Sequence, residues 1–294
     1  MTPYYIDLGL QDVRVGMYDA FDFDADGIPR YPYPSGFYYN VTFICHFALY
    51  HHMLFLKFKR QEDLDKFLKI TNWLLKSGHE TSEGLVFPFS FAFNGLTPPW
   101  ISALTQGRVL SVLARAYEFS NEKQHLVLAR NAMKPFEIPV KEGGVQAPFP
   151  NGDIAFEEYP HSKPNIVLNG LITALVGLHD LAEIGKDRQA ADLFAHGVQG
   201  LERNLQRYDL GFWSTYDLAQ PFRTVASEKY HRYHIVQLWG LYEMTGSEIF
   251  KSYCLKWQGY LKGFRPLAIR TLSRSYKLVR PLITKTRAAL AGRG

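Results

Sequence analysis

The sequence has little cysteine, with only Cys45 and Cys254 in 294 residues. The two thiols stand far apart, each in an apolar run, so neither a disulfide framework nor a paired-cysteine metal site is available. Long Ser/Gly/Pro-rich stretches are also missing, and 47% hydrophobic against 21% charged residues describes a folded chain. We therefore expect one large domain whose thiols are buried, in a reducing compartment.

Familiar catalytic signatures are missing as well. The chain contains no GxGxxG or GxxxxGK[ST] loop, no GxSxG elbow and no HExxH pair, so nucleotide binding, serine hydrolysis and zincin chemistry have no motif. The basic residues that could attract nucleic acid are concentrated in one short stretch, which is too little for recognition. We expect no nucleic-acid partner and assign no metal ligands.

Secretory and membrane features are weak. The N-terminal segment carries acidic residues where a signal peptide has a basic start and an apolar core, so we expect a cytoplasmic protein. The most apolar stretch, Val41 to Phe58, is interrupted by His46, His51, His52 and Lys57. It predicts a buried helix better than a membrane span.

Charge is unevenly distributed along the chain. The net charge is +5, yet residues 264–294 hold eight Arg or Lys and no acid, which leaves the remainder near −3. Apolar residues interleave with these cations, a pattern typical of an amphipathic helix that contacts an anionic membrane or an acidic glycan. A solvated extension broken by Pro266 and Pro281 is the equal alternative.

Helical periodicity dominates from about residue 40 onward. The helical segments lie near 40–57, 62–76, 100–118, 122–133, 166–184, 188–205, 231–245 and 248–262. They form about four helical hairpins, which predict a mainly α fold: an α/α toroid, built as an incomplete barrel with a cleft walled by long loops. We expect three regions: an extended aromatic-rich segment or short β-hairpin at 1–39, an α/α-barrel catalytic domain at 40–263, and the basic tail at 264–294.

The loop EEYP at 157–160 is the first candidate for chemistry. A carboxylate flanked by aromatic side chains loses solvation, which raises its pKa toward the value of a useful general base. Either Glu157 or Glu158 could take this role while the other stays structural. Two adjacent glutamates before a helix are more often simple first-turn charges.

The segment YHRYH at 230–234 is the second candidate. His231 and His234 share a helix face, but no acidic or cysteine side chain is spaced to complete a metal site. Proton transfer and hydrogen bonding to a polar substrate suit this set of phenols, imidazoles and guanidinium better. Structural histidines are the alternative.

Many short blocks, in order and spacing, resemble one family. They are PPWISALTQGR at 98–108, GGV at 143–145, EEYP at 157–160, VLNG at 167–170, GLHDL at 177–181, TYDL at 215–218, YHRYHIVQL at 230–238 and WQGYLKG at 257–263. The chain resembles the C-terminal domain of D-glucuronyl C5-epimerase over most of residues 28–263. The resemblance implies an α/α barrel, usually a dimer, that converts D-glucuronate to L-iduronate in a heparosan-like acidic polysaccharide.

The resemblance also carries site residues. Those that match the family's catalytic elements are Glu158, Tyr159, Tyr216 and Tyr230. The substrate-binding candidates are Trp100, Gln106, Arg108, Glu157, Asn169, Arg223, His231, Arg232 and His234. This chain departs from the family after TYDL, where Ala219 and Gln220 replace an Arg and a His, so another cation has to recognise the substrate carboxylate.

The expected reaction moves one proton. Glu158 would remove it from C5 and Tyr230 would return one on the opposite face, while Tyr159 and Tyr216 position the ring. No redox cofactor is required, and a divalent cation could bind without identified ligands. A uronate polysaccharide lyase acting by β-elimination and a non-catalytic glycan-binding protein are the alternatives, and the basic tail would hold the protein at the cytoplasmic side of an inner membrane.

Overall fold

Eight α-helices run through the described part of the chain. The computed structural model describes residues 1–6, 8, 20–220, 223–267, 269 and 271. In chain order the helices are α1 (Val41–Phe58), α2 (Gln61–Ser77), α3 (Ala103–Ser120), α4 (Lys123–Met133), α5 (Leu168–Gly185), α6 (Arg188–Asn204), α7 (Glu228–Thr245) and α8 (Glu248–Tyr260). The predicted helices are confirmed, with ends that differ by three residues at most.

The helices pack as antiparallel hairpins in two layers. Each odd-numbered helix contacts the even-numbered helix that follows it, and α3 also packs against α1 and α5, which in turn contacts α7. Helices α3 and α5 are buried around most of their surface, whereas α2, α4 and α6 bury one face. Odd-numbered helices therefore form an inner layer and even-numbered helices an outer one, as predicted for an α/α toroid.

Local sequence signals define several helix ends. Asp187 accepts a hydrogen bond from the amide of Ala190 at 3.0 Å and caps α6, and Ser227 caps α7. At the other end, α7 is followed by Gly246 at φ 68°, a left-handed conformation that glycine adopts at little cost. These caps explain why the helices begin and end close to the positions that the sequence predicts.

Short strands occupy the segments between helices. An antiparallel sheet of β1 (Asp22–Phe23), β2 (Pro29–Tyr33) and β3 (Gly36–Tyr38) precedes α1. Two further hairpins follow the outer helices: β4 (His79–Thr81) with β5 (Gly84–Val86), and β6 (Gln146–Pro148) with β7 (Ile154–Phe156). The extended character predicted for the aromatic-rich segment is confirmed where it is described.

Two further expectations concern α1 and the tail. Helix α1 is long and apolar enough to cross a membrane by length and composition, but half of it is buried inside the protein, where it packs on α2 and α3. Cys45 on this helix and Cys254 are both buried and free, as expected. Most of the basic tail lies outside the described residues, so its amphipathic helix and the three-region division stay predictions.

Candidate active site

A cavity of about 490 Å³ opens at one end of the toroid. Its walls include residues from the first two turns of the four inner helices, namely Thr42 and His46 on α1, Leu104 and Arg108 on α3, Asn169 on α5, and Lys229, Tyr230 and Tyr233 on α7. The inner helices therefore point their N-terminal ends, which carry partial positive charge, toward the same space. This arrangement favours an anionic ligand.

Glu158 is the carboxylate of this cavity. It follows β7, is 8% exposed, and accepts a hydrogen bond from Asn169 Nδ2 at 3.3 Å. Burial raises the pKa of Glu158 to about 7, against the opposing effects of a hydrogen bond from Tyr159 and of the Arg108 charge. Near neutral pH the carboxyl is thus divided between its acid and base forms, as general base catalysis requires.

Three phenols surround Glu158. Tyr159 and Tyr230 line the cavity with it, and the rings of Tyr216 and Tyr230 meet edge-on at 4.7 Å. Tyr216 also hydrogen-bonds to Tyr159. Burial, reinforced by the Glu158 carboxylate, raises the pKa of Tyr230 to about 12, so its phenol holds its proton at neutral pH. Glu158 and Tyr230, distant in sequence, therefore face one cavity, the first with a titratable carboxyl and the second with a protonated phenol.

Arg108 is the buried cation of the site. It is 6% exposed, lines the cavity, and donates from Nη1 to the carbonyl of Thr42 at 2.9 Å. The Tyr233 phenol also bonds to it. A fixed guanidinium inside a low-dielectric cavity stabilises negative charge more strongly than an exposed cation does.

Aromatic side chains form the opposite part of the cavity. Trp100 stacks on Phe89 with ring centroids 4.0 Å apart, and its Nε1 donates to the carbonyl of Phe91 at 2.9 Å. Tyr33, from β2, packs on Phe91 at 4.3 Å. These rings belong to a small apolar cluster separate from the main core, and such surfaces suit the faces of sugar rings.

The geometry agrees with comparisons to known proteins. A sequence profile described as D-glucuronyl C5-epimerase C-terminus matches residues 81–259. The chain belongs to this family. A D-glucuronyl C5-epimerase of Caenorhabditis elegans is 30% identical over 227 residues, which are 70% of this chain and 36% of the worm protein. The chain thus spans about a third of the length of that relative.

One further sequence relative and one solved structure are also similar to this epimerase-family chain. An uncharacterized protein of Methanocaldococcus jannaschii is 31% identical over 220 residues, covering 69% of this chain and 70% of the archaeal one. The solved structure of cellobiose 2-epimerase from Bacillus thermoamylovorans superposes with a TM-score of 0.55 at 14% identity, over 75% of this chain and 59% of that one. At that identity the likeness supports the α/α toroid and nothing further.

The epimerase-family site excludes Glu157, which we predicted to bind substrate. Its side chain is fully buried, and Oε1 accepts hydrogen bonds from the amides of Asn165 at 2.7 Å and Ile166 at 3.1 Å. The carboxylate therefore fixes the loop that leads into α5. This prediction is corrected: of the two neighbouring glutamates, only Glu158 reaches the cavity.

Three further predicted substrate contacts are buried elsewhere. The Gln106 amide bonds to backbone groups of Phe87, Leu85 and Ala132, which ties α3 to α4 and β5. His231 stacks on Trp213 at 3.8 Å, and both His231 and His234 bond to the hydroxyl of Ser214 through Nδ1. All three predictions are corrected, because these fully buried side chains serve packing.

The two remaining predicted cations also lie outside the cavity. Arg232 is exposed and pairs with Glu228 one turn earlier on α7, at 2.8 Å. Arg223 is exposed and donates to the backbone carbonyl of Arg207. Neither lines the cavity, so neither replaces the missing arginine after TYDL, and both predictions are corrected.

Sequence reasoning assigned no role to Lys229 or His46, and it included Tyr233 in the YHRYH segment without assigning it to the site, yet all three line the cavity. Tyr233 stands one turn after Tyr230 on α7, so the i, i+3 spacing could have placed both phenols on one face. His46 is buried, and burial keeps its pKa well below the usual range, so it is neutral. No local pattern distinguishes Lys229 from other exposed lysines.

The described residues contain no group of three or more His, Cys, Asp or Glu side chains that could hold a metal ion.

Proposed function

We propose that this protein is a polysaccharide hexuronate C5-epimerase that converts D-glucuronate to L-iduronate within a heparosan-like polymer. The observation that carries the proposal is one cavity lined by Glu158, whose pKa lies near 7, and by the phenol of Tyr230. Membership of the epimerase family supports it. The worm relative's name supports glucuronyl units as the substrate class.

Proton removal is the first step. The C5 proton of a uronate is α to a carboxylate, and the ionised form of Glu158 takes it as general base. Its raised pKa makes the carboxylate a stronger base than an exposed glutamate, while about half of the molecules remain ionised near pH 7. A proton-transfer reaction of this kind needs no redox cofactor, and we assign no ligands to a divalent cation.

Stabilising the intermediate is the second requirement. Loss of the C5 proton creates an enediolate-like species with two negative charges. Arg108 and the N-terminal ends of four inner helices are oriented toward the cavity before the reaction, so little reorganisation accompanies charge development. Lys229, at the exposed start of α7, would attract the carboxylates of the polymer as it approaches.

Reprotonation from the opposite face completes the inversion. Tyr230 keeps its proton at neutral pH and would deliver it to C5, because a single group returning its own proton would regenerate the starting sugar. Tyr159 hydrogen-bonds to Glu158 and Tyr216 contacts Tyr230, and the two phenols would hold the sugar ring between base and acid. In the reverse reaction the two roles exchange.

The decisive experiment separates removal of the proton from inversion. Heparosan is incubated with protein in heavy water, and NMR follows deuterium at C5 and the appearance of L-iduronate. Glu158→Gln should lose both signals by at least about 100-fold, the usual contribution of a general base. Tyr230→Phe should still exchange the C5 hydrogen of D-glucuronate yet form no L-iduronate.

Tyr242→Phe is the matched control, since Tyr242 lies on α7 outside the cavity. Wild-type exchange in both Glu158→Gln and Tyr230→Phe would refute the assigned roles. A product that absorbs in the near ultraviolet would instead identify a β-eliminating lyase. Binding of heparosan without any exchange would identify a non-catalytic glycan-binding protein.

The basic tail suggests where in the cell the enzyme acts. We propose that residues 264–294 hold the enzyme against the anionic cytoplasmic face of an inner membrane, close to a growing acidic polysaccharide. Eight basic residues without an acid support this placement. We also expect a homodimer, as in the family.

A further inference from the structure

The segment between β5 and α3 folds into a hairpin of residues 88–100, which we call the aromatic hairpin. At its tip, Phe93 and Leu96 exchange backbone hydrogen bonds of 3.2 and 2.8 Å. The two residues between them, Asn94 at φ 48° and Gly95 at φ 82°, adopt the left-handed conformation that a tight two-residue hairpin turn requires. The backbone of this turn therefore fixes the place of Phe93.

Side chains of the aromatic hairpin alternate between its two faces. Phe89, Phe91 and Phe93 line the cavity, whereas the intervening Ser90 and Ala92 are exposed. Alternate residues of an extended segment point to the same side. The three phenyl rings therefore form one row along the cavity wall, which ends at Phe93 next to the turn.

The last ring of this row differs from the other two in its exposure. The first two rings are buried in the small apolar cluster, but Phe93 is 41% exposed. Its ring neighbours are Tyr33 and Tyr159, with centroids 6.1 and 5.9 Å away. A single exposed ring is common on protein surfaces, but this one lines the cavity that holds Glu158. It is therefore available to a ligand that binds there.

Tyr159 connects Phe93 to the carboxylate of the cavity. It hydrogen-bonds to Glu158, and its ring is tilted by 37° against that of Phe93. A six-membered sugar ring is about as wide as this phenol ring. A uronate whose C5 lies at Glu158 would therefore place the next unit of its polymer beside Phe93.

The walls of the cavity differ in charge. Arg108 and Lys229 are cations of the inner-helix wall. The cavity-lining side chains of β2 and the aromatic hairpin are tyrosine, phenylalanine, tryptophan and proline. Such a wall favours the C–H face of an uncharged sugar over a carboxylate, because a charge that loses water without gaining a partner is costly.

We propose that Phe93, together with Tyr33, forms a binding subsite for an uncharged sugar unit next to the reacting uronate, and that this contact makes the enzyme select a polymer over a free uronic acid. The inference rests on the proposed function and names the neighbouring unit that the site binds. This unit stacks on the exposed Phe93 ring while the uronate lies between Glu158 and Tyr230. In heparosan, N-acetylglucosamine alternates with glucuronate and supplies the uncharged unit.

The experiment measures binding in a Glu158→Gln parent, which prevents turnover, with two probes. A heparosan hexasaccharide has neighbouring units, whereas methyl β-D-glucuronide is a single uronate. Adding Phe93→Ala should weaken binding of the hexasaccharide by about 5- to 30-fold, as truncation of an aromatic anchor does, and leave binding of the monosaccharide unchanged. Adding Phe93→Tyr, which keeps the ring, should preserve binding of both probes. Phe119→Ala is the matched control, since Phe119 is 39% exposed in the last turn of α3.

Proton NMR of the bound hexasaccharide identifies the unit that contacts the ring, because protons above an aromatic face shift upfield. The shift should fall on N-acetylglucosamine protons and disappear with Phe93→Ala. In the active enzyme, Phe93→Ala should raise KM for heparosan more than it lowers kcat, as expected for a contact made equally in the ground state and the transition state.

Unchanged affinity for the hexasaccharide in Phe93→Ala would overturn the subsite, as would an equal loss of affinity for both probes. An upfield shift confined to glucuronate protons would overturn the choice of an uncharged unit. If the wild type binds the hexasaccharide but inverts no uronate, the proposed function fails, while the affinities still decide the role of Phe93. A parent that binds neither probe would refute both proposals.

Discussion

At the scale of single residues, the neighbouring glutamates Glu157 and Glu158 differ in their surroundings. Burial raises the pKa of each carboxyl to about 7. Glu157 is bound to the amides of the loop before α5, whereas Glu158 faces the cavity and Asn169. Identical side chains in adjacent positions point in different directions, and only that of Glu158 lines the cavity.

The raised pKa of Glu158 has a stability consequence. Its native pKa exceeds the usual value of 4.5, so the folded protein binds more protons than the unfolded chain between about pH 4.5 and 7, and the free energy of unfolding falls as pH rises through this window. At ~1.4 kcal/mol per pKa unit, this fall in the free energy of unfolding amounts to at most about 3 kcal/mol. Glu158→Gln, which cannot ionise, should not show it.

Urea unfolding of wild type and Glu158→Gln at pH 5 and pH 8 measures the difference. The variant should gain stability relative to wild type at pH 8 and change little at pH 5. Equal behaviour at both pH values would show that Glu158 is solvated in the folded protein.

Gly170 on α5 limits the space available to Glu158. A Cβ at this position would lie 2.5 Å from Oε2 and 2.6 Å from Cβ of Glu158. Gly170→Ala should therefore displace the carboxylate and lower kcat by about 10- to 100-fold. Gly259→Ala on α8 is the matched control, because nothing lies within 4 Å of that site. A wild-type kcat in Gly170→Ala would contradict this expectation, because it would show that the loop of Glu158 accommodates the added methyl group without loss of activity.

At the scale of elements, the close contact between α3 and α5 holds the inner layer together. A Cβ at Gly107 would lie 2.6 Å from Cα of Ala174, and one at Gly177 would overlap the carbonyl of Gly107. Each glycine thus permits the other helix's backbone to approach. The same contact sets the separation of Arg108 on α3 and Asn169 on α5, two side chains of the cavity.

Gly177→Ala should destabilise the fold even though alanine is the better helix former. Overlap with a backbone atom forces the two helices apart, at a typical cost of about 1–3 kcal/mol for overpacking. Urea denaturation should show a lower midpoint with an unchanged slope. Gly259→Ala should be neutral or up to about 1 kcal/mol more stable, since it gains helix propensity without a clash. Equal midpoints for both variants would contradict the close approach.

At the scale of the whole molecule, we expect the toroid and the basic tail to bind different partners, a glycan and an anionic membrane. The toroid presents helix N-termini and aromatic rings to the cavity, where we propose that a glycan binds, whereas the cations of residues 264–294 lie outside the matched family region. Electrostatic contact with anionic lipid weakens with salt, because a cation near the surface acts only within a Debye length.

Deleting residues 264–294 should therefore move the protein from the membrane to the soluble fraction while leaving turnover of heparosan unchanged. Co-sedimentation with vesicles of anionic lipid, compared with neutral lipid and with high salt, measures the interaction. A matched variant with the eight cations changed to glutamine keeps the tail's length. An unchanged distribution of either variant would refute the membrane contact.

The sequence by itself determined the helices and their pairing into hairpins, and its resemblance to the epimerase family selected Glu158, Tyr159, Tyr216 and Tyr230 as the proposed catalytic set. Amphipathic periodicity and capping are local signals. The blocks of the family pattern can likewise be read from their order in the sequence, without knowledge of the three-dimensional contacts. These features therefore need only neighbours within one or two helical turns.

Only the tertiary structure decided which polar side chains reach the cavity. Gln106, His231 and His234 have the residue types of a binding site, yet distant segments bury them and form hydrogen bonds with their side chains. Burial and partnership between remote segments depend on how whole helices pack, which no local pattern encodes.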